Sequence, residues 1–241
     1  MIQQRTGNAQ FLVYSSLRNS ILNLNLVPGT MISENDISLR FKVSRTPVRE
    51  AFIALSKEAL LTIMPQKGSM VSRIDFARVQ QELFLRENLE PAALKQFLNN
   101  HSPSHLTELE KYLELQAETA STQTFEQFFW YDNLFHRVFF SGQNVAWEAL
   151  ENLSGHYYRA RLLTIWFQDI AKDIVEDHKQ LFQAIEQKNT SKALALLESH
   201  IHKLPAEEAM LRRFFPDYFT DSEEIPLAVD FGGLAINSIQ P

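Results

Sequence analysis

The sequence predicts a mainly α-helical chain in two parts: a head of three helices and one β-hairpin, then a longer, all-helical body. Three observations carry this. Apolar residues recur at helical spacing in short stretches from Phe11, and again from about Arg78 to about Arg213 with few breakers. The one stretch with strand character, LLTIMPQKGSMVSRI, turns around Pro65–Gly68. Charge divides at the same place. Residues 1–75 hold nine Lys/Arg against five Asp/Glu, and the remaining 166 hold fourteen against twenty-four, so a net −6 conceals a basic head and an acidic body.

At 241 residues and 45% apolar, the chain has the material for a real core. It contains no cysteine, which excludes disulfides and thiolate metal sites and suits a reducing compartment. The start, MIQQRTGNAQ, lacks the shape of a secretory signal, and no apolar run approaches the roughly 18 residues of a membrane span. A soluble, cytoplasmic protein without membrane association is expected.

The elements follow in order. FLVYSSLRNSILNLNL has helical periodicity and stops before Pro28–Gly29. SENDISLRF opens on Ser33 with Asp36 three residues later, the pattern of a capping box. SRTPVREAFIALSKEAL starts with Ser44 as N-cap and places Pro47 in its first turn, where a missing N–H costs least. The hairpin follows. Three helices and a hairpin, with a very short turn before the third helix, is the order of a winged helix-turn-helix.

That order explains the residues KVSRTPVREAF. A helix N-terminus attracts phosphate, and Ser44 and Thr46 add hydroxyl donors there. Arg45 and Arg49 are four apart and share a face, so both can enter one major groove, where arginine pairs bidentately with guanine. Val48, Phe52 and Leu55 fall on another face, toward the core. The stretch ILNLNLVPGTMISENDISLRFKVSRTPVREAFIALSKEALLTIMPQKGSMV resembles the winged-helix domain of GntR-type bacterial transcription regulators, above all in PGTMISE, VSRTPVREA and PQKGSMV. The resemblance implies that Ser44, Arg45, Thr46 and Arg49 contact double-stranded operator DNA, with Lys67 and Gly68 at the wing tip. Two residues depart from the family pattern. Leu24 and Ala59 stand where the family has glycine, and both positions concern loop geometry rather than base contact.

In the body, histidine is the useful probe. EQFFWYDNLFHRVFF puts Asp132 and His136 on one helical face, among Phe128, Phe129, Phe135 and Phe139. An aspartate in an apolar stripe is costly unless paired or bound to a metal. His178 lies in the stripe of Ile174, Leu181, Phe182 and Ile185. His200 aligns with Ala193, Leu196, Leu197 and Leu204, whereas His202 aligns with Glu198 and Ser199 on the polar face. Asp132, His136, His178 and His200 together make a candidate site for a divalent ion such as zinc, manganese or nickel, with positions open for a ligand.

From about residue 79 to 213 the chain resembles the helical effector domain of the FadR branch of these regulators, the FCD type. That family's Asp-x3-His pair and two later single histidines match Asp132, His136, His178 and His200. The resemblance implies a metal that helps hold a small carboxylate effector, and an arginine of the first effector-domain helix, here Arg86, facing the cavity. SGHYYRARLL offers further cations in His156, Arg159 and Arg161, since a guanidinium is the natural partner of a carboxylate.

The expected organisation is a winged helix-turn-helix over 1–76, an antiparallel helical bundle over 77–213 and a tail over 214–241 whose apolar content predicts packing. The expected function is a DNA-binding regulator, in most cases a repressor. It works as a homodimer on a palindromic operator and answers to a small organic acid, with a sugar acid as first choice. Two alternatives stand beside it. A metal-dependent hydrolase-like enzyme lacks an H-E-x-x-H motif or other positioned base and leaves the basic head unexplained. A body serving only for dimerisation would make the histidines structural.

Overall fold

The computed structural model describes residues 2–168, 170–203 and 208–220. It divides into two compact units: residues up to Phe76 together with the described chain from Arg212 onward, and Ala77–Leu211. No described helix is long and apolar enough to cross a membrane.

The first unit opens with α1 (Ile2–Leu22), which begins nine residues before the periodicity at Phe11 announces it. Then come β1 (Met31–Ile32), α2 (Glu34–Phe41), α3 (Arg45–Lys57), β2 (Leu61–Met64) and β3 (Gly68–Val71). The hairpin pairs Leu61 with Val71 and Met64 with Gly68. The sequence reading missed a third strand: β1 pairs antiparallel with β3, Met31 opposite Met70, giving the sheet order β1-β3-β2. Two residues are too short for alternation to register, and only the partner strand makes them a strand. Ser33 caps α2 as expected, accepting from the Asp36 N–H at 3.1 Å. Helix α1 packs on α3, and Tyr14 (2.5 Å) and Arg18 (2.7 Å) both donate to Glu58 just past the end of α3.

The two departures from glycine have a visible cost. Leu24 has φ +58° and Ala59 φ +56°, so both side chains sit in the left-handed region that disfavours a Cβ. Leu24 offsets this by burial in the core.

The second unit is helical throughout: α4 (Phe76–Asn100), α5 (Pro103–Ser121), α6 (Phe125–Phe139), α7 (Asn144–Leu153), α8 (Gly155–Gln168), α9 (Ala171–Glu186), α10 (Thr190–Ile201) and the start of α11 (Glu208–Phe214). Helix α5 packs on α6 and α9, α9 on α10, and α6 on α8. Buried Phe128, Phe135 and Phe139 on α6, Leu162 and Leu163 on α8, and Leu181 and Ile185 on α9 supply the core. The tail is partly described. A short 3-10 turn (Pro216–Tyr218) leads to Phe219, which is buried, while residues 221–241 lie outside the described residues.

Candidate metal centre and DNA-reading helix

In the head, α2 stops because Lys42 turns left-handed at φ +54°, and Ser38 donates to the Val43 carbonyl across the turn at 2.6 Å. Three residues later α3 begins. Its inner face (Pro47, Val48, Ala51, Phe52, Leu55) is buried, which leaves Ser44, Arg45, Thr46 and Arg49 exposed on the outer one. Ser44 holds the N-cap position without a side-chain cap bond, so its hydroxyl is not engaged by the helix. Arg45 donates to Asn35 of α2 at 2.8 Å, which aims the guanidinium. At the wing, exposed Lys67 precedes Gly68, whose φ of +100° and Cβ direction toward the Ile32 carbonyl (3.2 Å) both favour glycine.

In the body, α6 contributes Asp132 and His136, α9 His178 and α10 His200. All four are buried, and one ligand atom from each lies within 4.8 Å of all the others. The His178 and His200 Nε2 atoms are 3.3 Å apart, and His178 Nε2 is 3.8 Å from Asp132 Oδ1. His202 faces away, exposed, and pairs with Glu87 at 2.9 Å. Of the stripe expected around His200, Ala193 and Leu197 are buried; Leu204 lies outside the described residues.

Around these four stands an outer ring that the sequence reading did not find. Each histidine has its other ring nitrogen facing an acceptor: His178 Nδ1 is bonded to Gln116 Oε1 at 2.7 Å, His200 Nδ1 lies 3.4 Å from Asp177, and His136 Nδ1 lies 3.0 Å from Glu90, close enough for an ion pair but without hydrogen-bond alignment. The Gln116 amide is oriented by its own donation to the Tyr131 carbonyl at 3.3 Å, so the oxygen must face His178. Acceptors on Nδ1 place the proton there and leave the Nε2 lone pairs facing inward, as metal ligands require. His136 Nε2 has no hydrogen-bond partner among the described residues. A buried orphan acceptor beside two imidazoles and a carboxylate fits a divalent ion. Of the outer ring only Glu90 left a trace in the sequence, four residues after Arg86; Gln116 and Asp177 are brought in by tertiary packing.

Electrostatics agree. Burial first, and then the neighbouring His200, His136 and Arg161 charges, hold His178 well below the ordinary histidine range. Burial likewise lowers His200 to about 4, although Asp177 pulls the other way. Both are neutral near pH 7 and able to bind a cation without first losing a proton.

The candidate cations separate into two groups. Arg161 belongs at the centre: it forks onto Asp132 at 2.7 and 2.8 Å and reaches His200 Nε2 at 3.3 Å. Arg86 is fully buried, pairs with Glu90 at 2.5 Å and lies over the Tyr157 and Tyr158 rings at 5.0 and 5.6 Å. Its Nη1 has no hydrogen-bond partner among the described residues. Burial alone would raise the Glu90 pKa, but Arg86 and His136 outweigh it and keep the carboxylate ionised. Arg159 and His156 are placed elsewhere, at Glu82. That carboxylate accepts the backbone N–H groups of His156 and Tyr157 at 2.9 and 2.8 Å, and it is the charge facing buried Arg159.

Two family models match the chain: Bacterial regulatory proteins, gntR family, over residues 12–71, and the FCD domain over 82–203. The chain belongs to the GntR family. It carries that family's helix-turn-helix domain and an FCD domain, and it is a transcription regulator rather than an enzyme. An HTH-type transcriptional regulator in an unstable DNA locus of Streptomyces ambofaciens is 33% identical over 218 residues, covering 89% of this chain and 92% of that one. The HTH-type transcriptional repressor RspR of Escherichia coli K12 is 29% identical over 211 residues, covering 87% and 92%. Among solved structures, E. coli McbR/YncC shares the fold with a TM-score of 0.73 at 20% identity, covering 86% of this chain and 98% of that one.

Proposed function

We propose that this regulator is a cytoplasmic repressor that binds a palindromic operator as a homodimer and releases it in response to a small carboxylate held at a divalent metal in the body. The division of labour falls at residue 76, with 77–213 as the sensing part. One recognition helix covers too few bases for selectivity, and two-fold symmetry doubles the site.

The observation that carries the sensing role is the inward convergence of Asp132 and three histidines whose outer nitrogens each face an acceptor. These four residues would hold zinc, manganese or nickel, and the ion would supply Lewis-acid positions for carboxylate oxygens. The chain's own groups do the rest. Arg161 and Arg86 present fixed donors to an anion, and burial excludes water and so strengthens each charge contact. A sugar acid suits the site, since its hydroxyls add hydrogen bonds to the same charge.

The test is a metal analysis of the purified chain and an operator titration with and without a panel of organic acids. About one ion per chain and an acid that shifts operator affinity by roughly 5–150-fold are expected. Arg86→Lys, which keeps the charge but not the fork, should weaken that shift. A chain that purifies without metal and cannot be loaded would leave the histidines structural and reduce the body to a dimerisation module.

A further inference from the structure

The two family models leave out residues 72–81 and everything after 203, and these two omitted stretches meet each other. Residues 72–75 connect β3 to α4. Such a connection would ordinarily be solvated and free to rotate. Here Ile74 is fully buried and has both backbone groups engaged: its N–H donates to the Tyr218 carbonyl at 2.7 Å, and its carbonyl accepts from Thr220 N–H at 3.0 Å. Ile74 and Phe219 thereby form a parallel bridge. Two residues on, Phe76 stacks on Phe219 with ring centroids 5.1 Å apart, both rings buried. Arg212 lies 5.3 Å from one ring and 5.7 Å from the other, and it donates to the Thr220 carbonyl at 3.1 Å, closing the segment on itself. Arg73 adds a bond to the Asp217 carbonyl at 3.0 Å.

We infer that Arg212–Thr220 is a strap that locks the connection between head and body in one conformation and thereby sets the half-site spacing the dimer reads. The inference rests on the dimeric operator reading proposed above. Chain order supplies the logic. The helix carrying His200 is followed by α11, and the chain leaving α11 ends on the residues through which the head is attached. A head on a free tether finds its half-site at many separations, whereas a head on a clamped one finds it at few. Conformations lost to the clamp are lost from the mis-spaced complexes.

The experiment uses the full chain and a duplex operator selected from a random-sequence library. The wild type is compared with Phe219→Ala, which removes the stack, and Thr220→Pro, which removes one bridge hydrogen bond. Phe219 already has the extended backbone that a following proline needs (φ −109°, ψ 150°). Three duplexes are titrated: the selected operator, the operator with two base pairs inserted between half-sites, and one with a half-site scrambled. The wild type should reject the mis-spaced duplex. Both variants should lose about tenfold of that discrimination while binding the single half-site like wild type, with faster hydrogen exchange at the Ile74 amide. Faster exchange with discrimination intact would overturn the strap's role in spacing. Unchanged exchange would show that the strap does not hold the connection at all. A wild type that rejects the scrambled duplex but not the mis-spaced one would also overturn the strap, whereas one that rejects neither would instead sink the dimeric reading beneath it.

Discussion

Arg45 and Arg49 on α3 carry the same charge as Arg86 and Arg161 in the body, in opposite surroundings. The first pair is exposed on a helix whose other face is in the core. The second pair is buried, and each guanidinium grips a buried carboxylate, Glu90 or Asp132. Exposed cations cost the fold little and are available to a polyanion. Buried ones are tolerable only because they are paired, so they belong to the structure before they belong to any ligand. The comparison predicts that the head tolerates truncation of its arginines and the body does not.

The sharpest way to break it is Arg86→Ala. Leaving Glu90 charged with only His136 beside it should cost about 3–5 kcal/mol of stability in urea melts, whereas Arg86→Met with Glu90→Met should recover most of the loss. A single variant as stable as wild type would mean that Glu90 finds another partner. Next comes the ion. Zinc at 100 times its dissociation constant should stabilise the chain by about 2.7 kcal/mol, and chelation should remove that gain. His178→Ala and His200→Ala should lose the ion and the gain together, while His202→Ala, on the exposed face, should keep both; the reverse pattern would overturn the assignment of α10's inward face.

The head gives the contrasting result. Arg45→Ala or Arg49→Ala should each weaken operator binding by about 1–3 kcal/mol and move the melting midpoint hardly at all. Wild-type affinity in both variants at physiological salt would refute the recognition-helix assignment.

Acidity distinguishes the two regions again. His178 and His200 are held below 6.5 in the folded chain, His200 at about 4, while an unfolded chain takes up those protons near 6.5. Their contribution to metal-free stability is therefore complete above pH 6.5 and is lost as pH falls toward 4. Denaturant melts across that window should show the decline, and a His178→Ala/His200→Ala chain should show less of it. The smallest effect lies at a loop: Ala59→Gly should stabilise by about 0.5–1 kcal/mol, because relief of the left-handed Cβ strain exceeds the added backbone entropy.

Local chemistry made much of this molecule legible. Periodicity separated His200 from His202, since residues two apart on a helix point to opposite sides. Ser33 and Asp36 announced a helix start, and the order of helices and hairpin announced the head. These features are visible because their cause lies within a few residues along the chain. Arg159 and Arg161 show the limit. Both are cations on α8, and only packing sends one to Asp132 and the other to Glu82.

The sequence by itself therefore determined which of these helix residues face inward, which helix leaves its arginines exposed and which four side chains are suited to an ion. Tertiary structure alone decided the partners of those side chains. Gln116 reaches His178 across 62 residues, and Tyr218 reaches Ile74 across 144. No periodicity or cap encodes such a pair, because the contact exists only after distant helices have buried their apolar faces against one another. Desolvation then makes each polar group inside find a partner, whatever its distance along the chain.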